Sequence, residues 1–238
     1  MILMKRLGAE EKEIEDFRRK NMCFQSIRKY YLQKAQTEGD TEEEIRLLEE
    51  SRRLDADSSY LVNSYSKRLI EIYHAQKDFA HEKEERKKAF MSYQLSTIDD
   101  FRRCRALCSV EEWNKVRAEL IRSRNGTDKR CELLAEEKML PELFEEISKQ
   151  DKKRILYDKY GFLLADDYSV PILQEYRRYV SSVAEHARNR TSYDELIRYL
   201  MRMKQYTGGQ EMVRNLCLAW IDRYPTRKLM VQELRKMI

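Results

Sequence analysis

Glycine and proline are scarce in this chain, with six and three residues among 238, far below the roughly 7% and 5% of an average protein. A many-stranded sheet needs turns that draw on these residues, so sheet architectures are excluded first. No run approaches the roughly 20 apolar residues that cross a bilayer. Residues 1–7 are too short and too soon charged for a secretion signal. The expectation is a soluble cytoplasmic protein with no membrane role. Histidine is also scarce: His74, His81 and His186 lie in charged settings and make poor material for a nucleophile, base and orienting group. There is no glycine-rich phosphate loop, since Gly208-Gly209 lacks a following Lys-Ser/Thr. Five cysteines, Cys23, Cys104, Cys108, Cys131 and Cys217, are an odd and scattered set that suits reduced thiols in apolar helical contexts.

What the chain has is helix chemistry. Leu, Glu, Lys and Arg dominate, 42% of residues are hydrophobic and 37% charged, and such straight-chain residues lose little freedom in a helix. Apolar spacing predicts a first helix over 10–36, carried by Ile14, Phe17, Phe24, Ile27, Tyr30 and Tyr31. Thr41 with Glu44 and Ser109 with Glu112 read as capping boxes, and Ser96 or Thr97 as a further cap. Leu54 continues the stripe of the second helix. Tyr60, Leu61, Tyr65, Leu69, Ile72 and Tyr73 mark a third, following the linker 55–59, and Lys77-Asp78 a tight turn. Phe79, Ala89 and Phe90 give the next helix its apolar positions, and the charged run 81–88 reads as its solvated face. Short helices follow over 128–136, 140–147 with Pro141 in the first turn, and 152–160. Asp166-Asp167 precedes a long helix over 170–188, Thr191 caps one carrying Tyr193, Leu196, Ile197, Leu200 and Met201, and Pro225 separates the last two. No helix is apolar all round, so each must bury its stripe on a neighbour. The fold expected is all-α, a helix-pair (TPR/HEAT-like) repeat forming an αα superhelix, as a single elongated domain over 1–238 with a subdivision near 161–170 as the alternative.

Several residues carry a family likeness. Within 69–123 the order Ile-Tyr, Lys-Asp, Ala-Phe and Ser-Val-Glu-Glu-Trp, then Asn189-Arg190, Tyr193, Leu196, Leu200, Met203-Lys204, Gly208-Gly209, Trp220, Tyr224-Pro225, Arg227 and Glu233-Leu234, resemble the helical region downstream of the zinc finger in bacterial SWIM zinc-finger proteins. The likeness covers most of 60–234. The finger's Cys-x-Cys and Cys-x-His pairs do not occur in this sequence, so the resemblance implies the helical region alone, with that family's DNA or protein interaction as an expectation.

Candidate chemistry is thin. Cys104 and Cys108 lie one turn apart, but no second close pair supports a tetrahedral metal, and buried thiols on a helix face are the expected reading. Asp166-Asp167 is accounted for by a turn before a Pro-started helix. The fifteen tyrosines fit packing with outward hydroxyls better than base stacking, and Trp113 and Trp220 fit the core. Thirteen Lys and Arg against seven Asp and Glu over 171–238 place a net +6 there. Arg198 and Arg202, one turn apart on the polar side of their helix, are the candidate partner-binding residues. The expected function is a non-catalytic scaffold for protein–protein interaction with no cofactor, metal or small-molecule substrate. The alternative is an accessory nucleic-acid-binding module using the basic C-terminal helices, with weak, salt-labile affinity.

Overall fold

Helix boundaries fall where side chains or backbone geometry take up the backbone groups a helix end leaves unpaired. In the computed structural model, which describes residues 10–92 and 97–238, every regular element is helical and no strand occurs among the described residues. The chain divides into two compact units, Met1–Asn125 and Gly126–Ile238. The alternative division near 161–170 lies inside the second of them.

The first unit holds α1 (Glu11–Lys20), α2 (Gln25–Glu38), α3 (Thr41–Leu54), α4 (Ser59–Ala75), α5 (Phe79–Ser92), α6 (Ile98–Ala106) and α7 (Val110–Arg122). The single helix expected over 10–36 is two. Asn21 Nδ2 donates to the Phe17 carbonyl at 2.7 Å, and Arg28 Nη1 donates to the carbonyls of Met22 and Cys23 at 2.9 and 2.7 Å, so side chains replace the helical ladder there. Cys23 consequently sits exposed between helices. Asp40, not Thr41, caps α3 by accepting from the Glu43 amide, which leaves Glu44 for an inter-helix bond. Ser109 with Glu112 is the capping box read from the sequence, and Thr97, read as a cap, forms a capping box with Asp100, while Ser96 lies outside the described residues. At Lys77 the chain takes φ 58°, and the Asp78 amide donates to the Tyr73 carbonyl at 2.9 Å, closing the α4 end in the expected turn.

Within this unit α2 packs on α3, α3 on α4, α4 on α5, and α5 on both α6 and α7. Leu48, Tyr65, Leu69, Ile72 and Tyr73 form one buried cluster. Phe90, Phe101 and Trp113 form another, with ring centroids 5.6 and 4.9 Å apart. The apolar stripes read from spacing reach too far at helix ends: Phe24, Leu54, Tyr60 and Phe79 are exposed, because terminal residues extend beyond the overlap with a neighbouring helix. Phe17 is exposed too.

The charged run 81–88 is the larger correction. Glu82, Glu85 and Arg86 are buried. Arg52 Nη1 donates to both oxygens of Glu85 at 2.6 and 2.7 Å, and Ser66 Oγ donates to it at 2.6 Å. Arg86 pairs with Glu82 at 2.7 Å, and His74 Nδ1 lies 3.1 Å from the other Glu82 oxygen. These bonds tie α3, α4 and α5 together. Glu44 accepts from Arg68 and Gln36. Burial opposes its ionisation, but those hydrogen bonds outweigh it and hold the carboxyl below its usual range. Asp55 behaves alike, burial being outweighed by hydrogen bonds from Arg28 and Tyr65. A carboxyl depressed in the folded state contributes stability above its unfolded pKa and loses it as pH falls through the folded value. The urea midpoint should therefore hold through neutral pH and drop below about pH 4, and Glu44→Gln should flatten that drop.

The second unit holds α8 (Thr127–Glu136), α9 (Leu140–Ser148), α10 (Lys153–Tyr160), a 3-10 turn (Gly161–Leu164), α11 (Ala165–His186), α12 (Arg190–Met203), α13 (Gly209–Arg223) and α14 (Lys228–Arg235). Again neighbours pack in order: α8 on α9, α9 on α10, α10 on α11, α11 on α12, α12 on α13, and α14 on both α12 and α13. α11 starts earlier than expected and kinks at Tyr168 (φ −124°, ψ 22°), three residues before Pro171, whose ring and missing amide disturb the preceding turn. Asp166 and Asp167 thus lie in its first turn, where negative charge complements the helix dipole. Asn189, not Thr191, caps α12, accepting from the Ser192 amide at 2.9 Å. Met201 is exposed.

Gly208 takes φ +80°, and a Cβ at Gly209 would lie 1.8 Å from the Met203 carbonyl oxygen, so the α12–α13 connection admits no side chain there. Gly209→Ala should lower stability toward the upper end of the roughly 1–3 kcal/mol of overpacking substitutions, measurable as a reduced urea midpoint with helix content retained at zero urea.

Candidate functional site

Asp158 is the centre of a polar cluster in the second unit. α10 carries it one turn after Arg154, and α11 and α12 bring Tyr176, Tyr199 and Arg202 against it. Tyr199 OH donates to Asp158 Oδ2 at 2.6 Å and Tyr176 OH to Oδ1 at 3.0 Å. Arg154 Nη1 lies 3.2 Å from Oδ2, and Arg202 Nη1 donates to Oδ1. Four donors occupy the carboxylate, about as many as its lone pairs accept.

Three guanidinium groups surround one ring. The Tyr199 centroid lies 5.1, 5.4 and 5.6 Å from the central carbons of Arg154, Arg198 and Arg202. Arg154 also stands 4.0 Å over Tyr179, whose hydroxyl donates to Glu195 at 2.5 Å. Burial, then the bond to Asp158, pushes the Tyr199 hydroxyl up to about 12, and burial raises Tyr176 as well. Neither phenol is prepared to ionise at neutral pH. The cluster therefore joins α10, α11 and α12 by charge-assisted hydrogen bonds.

The two arginines singled out from the sequence have different surroundings. Arg198 is exposed, 3.7 Å from Glu195. Arg202 is committed to Asp158 and only about a third exposed, so of the two only Arg198 stands well exposed on the polar face. Five tyrosine hydroxyls do not reach outward as expected: those of Tyr31, Tyr65, Tyr176, Tyr179 and Tyr199 end on carboxylates. Trp113 and Trp220 are buried.

A groove of about 440 Å³ lies beside α11 and α13, with Met212, Leu216 and Ala219 as apolar lining and Arg177, Glu211 and Asn215 as polar lining. In the first unit a second groove of about 450 Å³ is lined by Arg19, Met22, Tyr31, Glu43, Arg46, Leu47 and Glu50, where Arg46 is already held by Glu43 and Glu50.

The remaining candidates are apart. His74 and His81 each face a carboxylate, Glu82 and Asp78, and His186 Nδ1 meets the Ser182 carbonyl. Asp166 and Asp167 are exposed at a helix start. Cys104 is fully buried and Cys108 half-buried. Burial pushes Cys104 up to about 12 and raises Cys108. No group of three or more His, Cys, Asp or Glu is placed to hold a metal ion among the described residues. No helix among the described residues is long and apolar enough to cross a membrane.

Sequence reasoning missed Asp158, Arg154, Tyr176 and Tyr199. Arg154 and Asp158 show an i,i+4 pair, but their partners follow 18 to 45 residues later, with no local signal linking them. No family model matches the chain, and neither a curated protein nor a solved structure matches it.

Proposed function

We propose that the chain is a non-catalytic helical-repeat scaffold, an αα superhelix of TPR/HEAT-like helix pairs, that binds a protein partner. The observation that carries this reading is the packing order inside each unit, where most helices rest on a neighbour in sequence, the arrangement by which stacked pairs bury stripes that none can bury alone. The buried and half-buried titratable groups support it. Arg28, Asp55, Glu82, Glu85 and Asp158 each join helices, and among the described residues no buried side-chain nitrogen or oxygen lacks a partner. The α11/α13 groove is lined by the first helices of successive pairs and has the size and mixed lining suited to side chains of a docked protein segment.

The likeness to the helical region of SWIM zinc-finger proteins belongs to the same reading. The residues that carry it are structural here: Asn189 caps α12, Tyr193, Leu196, Leu200 and Trp220 are buried, Gly209 admits no Cβ, and Arg227 donates to the Ala184 carbonyl at 2.5 Å. They speak for a shared helical architecture rather than a shared ligand.

Nucleic-acid binding is the reading to test against. Tyr199 is 5% exposed and ringed by arginines, so it offers no face for a base to stack on. Titration against duplex and single-stranded DNA and RNA should give weak binding that ignores sequence and falls steeply between low and physiological salt. Arg198→Glu is the clean variant, because Arg202→Glu would also break the Asp158 cluster. Tight, sequence-selective binding at physiological salt that survives Arg198→Glu would overturn the scaffold reading.

A further inference from the structure

We propose that Asn125-Gly126 is a site of spontaneous covalent modification. There the Gly126 backbone nitrogen closes on the Asn125 side chain and converts it, through a cyclic imide, to aspartate and isoaspartate. The site stands apart from the scaffold reading and does not depend on it. Asn125 is followed by glycine, and none of the other five asparagines is. A side chain on the following residue crowds the ring that has to form, and glycine brings none.

The surroundings leave this pair open and hold the others. Asn125 lies past the end of α7, and Gly126 is the N-cap residue of α8, with φ 92° and ψ 130°. Both are exposed, and a Cβ built on Gly126 would meet no atom within 4 Å. Among the described residues no hydrogen bond engages the Asn125 side chain or the Gly126 amide. Asn63, Asn114 and Asn215, in contrast, lie inside α4, α7 and α13, where the amide that follows each is committed to the helical ladder. Asn21 Nδ2 donates to the Phe17 carbonyl at 2.7 Å. Asn189 Oδ1 accepts from the Ser192 amide and hydroxyl, both at 2.9 Å. The residues after these two, Met22 and Arg190, carry long side chains.

The reaction needs only water. Once the Gly126 amide gives up its proton, its nitrogen adds to Asn125 Cγ. The new bond closes a five-membered imide, and the side-chain nitrogen leaves with that proton as ammonia. Water then cleaves one of the two carbonyl bonds to the imide nitrogen. Cleavage at Cγ restores the original chain path as aspartate, whereas cleavage at the Asn125 backbone carbonyl leaves the chain running through the side chain as isoaspartate. In balance, one amide and one water become one carboxylic acid and one ammonia. Ionised, either product lowers the net charge of +5 by one. It also sets a negative charge beside the N-terminus of α8, where the helix dipole favours it.

The test incubates the full chain, and in parallel a free peptide spanning 122–130, in mildly alkaline buffer at physiological temperature, followed by proteolysis and mass spectrometry. The expected result is a gain of about one dalton at Asn125, divided between aspartate and isoaspartate. Its rate should lie within about tenfold of the free peptide's, because no opening of the fold has to precede it. In heavy-oxygen water each converted chain should take up one heavy oxygen atom at this position. Asn125→Gln, whose longer side chain would have to close a larger ring, should convert at least about 100-fold more slowly, with helical circular dichroism unchanged. A rate more than about tenfold below the peptide's, conversion of another asparagine as fast as Asn125, an equal rate in Asn125→Gln, or no conversion at all would each overturn the proposal.

Discussion

Arg28→Ala should destabilise the protein by about 3–5 kcal/mol, the usual effect of removing one member of a buried ion pair. Arg28 is 1% exposed and donates to Asp55 Oδ1 at 2.5 Å, Ser51 Oγ at 3.1 Å and the carbonyls of Met22 and Cys23. Truncation leaves a largely buried carboxylate with Tyr65 as its remaining hydrogen-bond partner at 2.7 Å, and it frees the two carbonyls that define the α1–α2 break. The measurement is the urea midpoint at constant m-value. Arg28→Met combined with Asp55→Leu should lose clearly less than the two single changes together, because the double variant buries no unpaired charge. A loss under about 1 kcal/mol for Arg28→Ala would mean that solvent reaches this pair more freely than its burial indicates.

Trp113→Ala should have a comparable effect, again about 3–5 kcal/mol. The indole is 5% exposed and meets Phe101 edge-on at 4.9 Å, and Phe101 in turn meets Phe90. Arg124 covers Phe90, its guanidinium carbon 3.4 Å from the ring centroid. Removing the indole opens a cavity where α5, α6 and α7 meet, so amide hydrogen exchange should accelerate first in α6 and α7. Unchanged melting would show that Trp113 is dispensable to the core and restore it as a surface-recognition candidate.

Much of the helix pattern was legible because its determinants are local. Thr97 with Asp100 and Ser109 with Glu112 are three residues apart, Pro141 sits in a first turn, and Gly208-Gly209 interrupts an apolar stripe. The break at 21–24 was hidden because it depends on Arg28 reaching back to two carbonyls, a contact that apolar spacing does not encode. The run 81–88 misled for a different reason. Glu82, Glu85, Arg86 and Ala89 fall at i, i+3, i+4 and i+7, the spacing of one helix face, and all four are buried. Their charge suggested solvent, but partners at Arg52, Ser66 and one another satisfy them. The periodicity carries the signal that residue type masks.

The candidate site was less legible than the fold. Arg198 and Arg202 look equivalent at i,i+4, yet only a carboxylate 44 residues earlier in sequence distinguishes them, since Arg202 meets Asp158 and Arg198 does not. The tyrosines carried a similar ambiguity: their apolar rings predict burial, but the acceptor for each hydroxyl is set by tertiary packing. Cys104 and Cys108 were visible as a pair.

A photoreactive residue in the α11/α13 groove tests the scaffold reading most directly. With benzoylphenylalanine replacing Asn215, irradiation in the native host should link the chain covalently to one protein, identified by mass spectrometry, and Met212→Asp should abolish that product while helix content is retained. Crosslinks that go instead to nucleic acid, or no protein adduct above that of a benzoylphenylalanine control at the exposed Asp167, would contradict it.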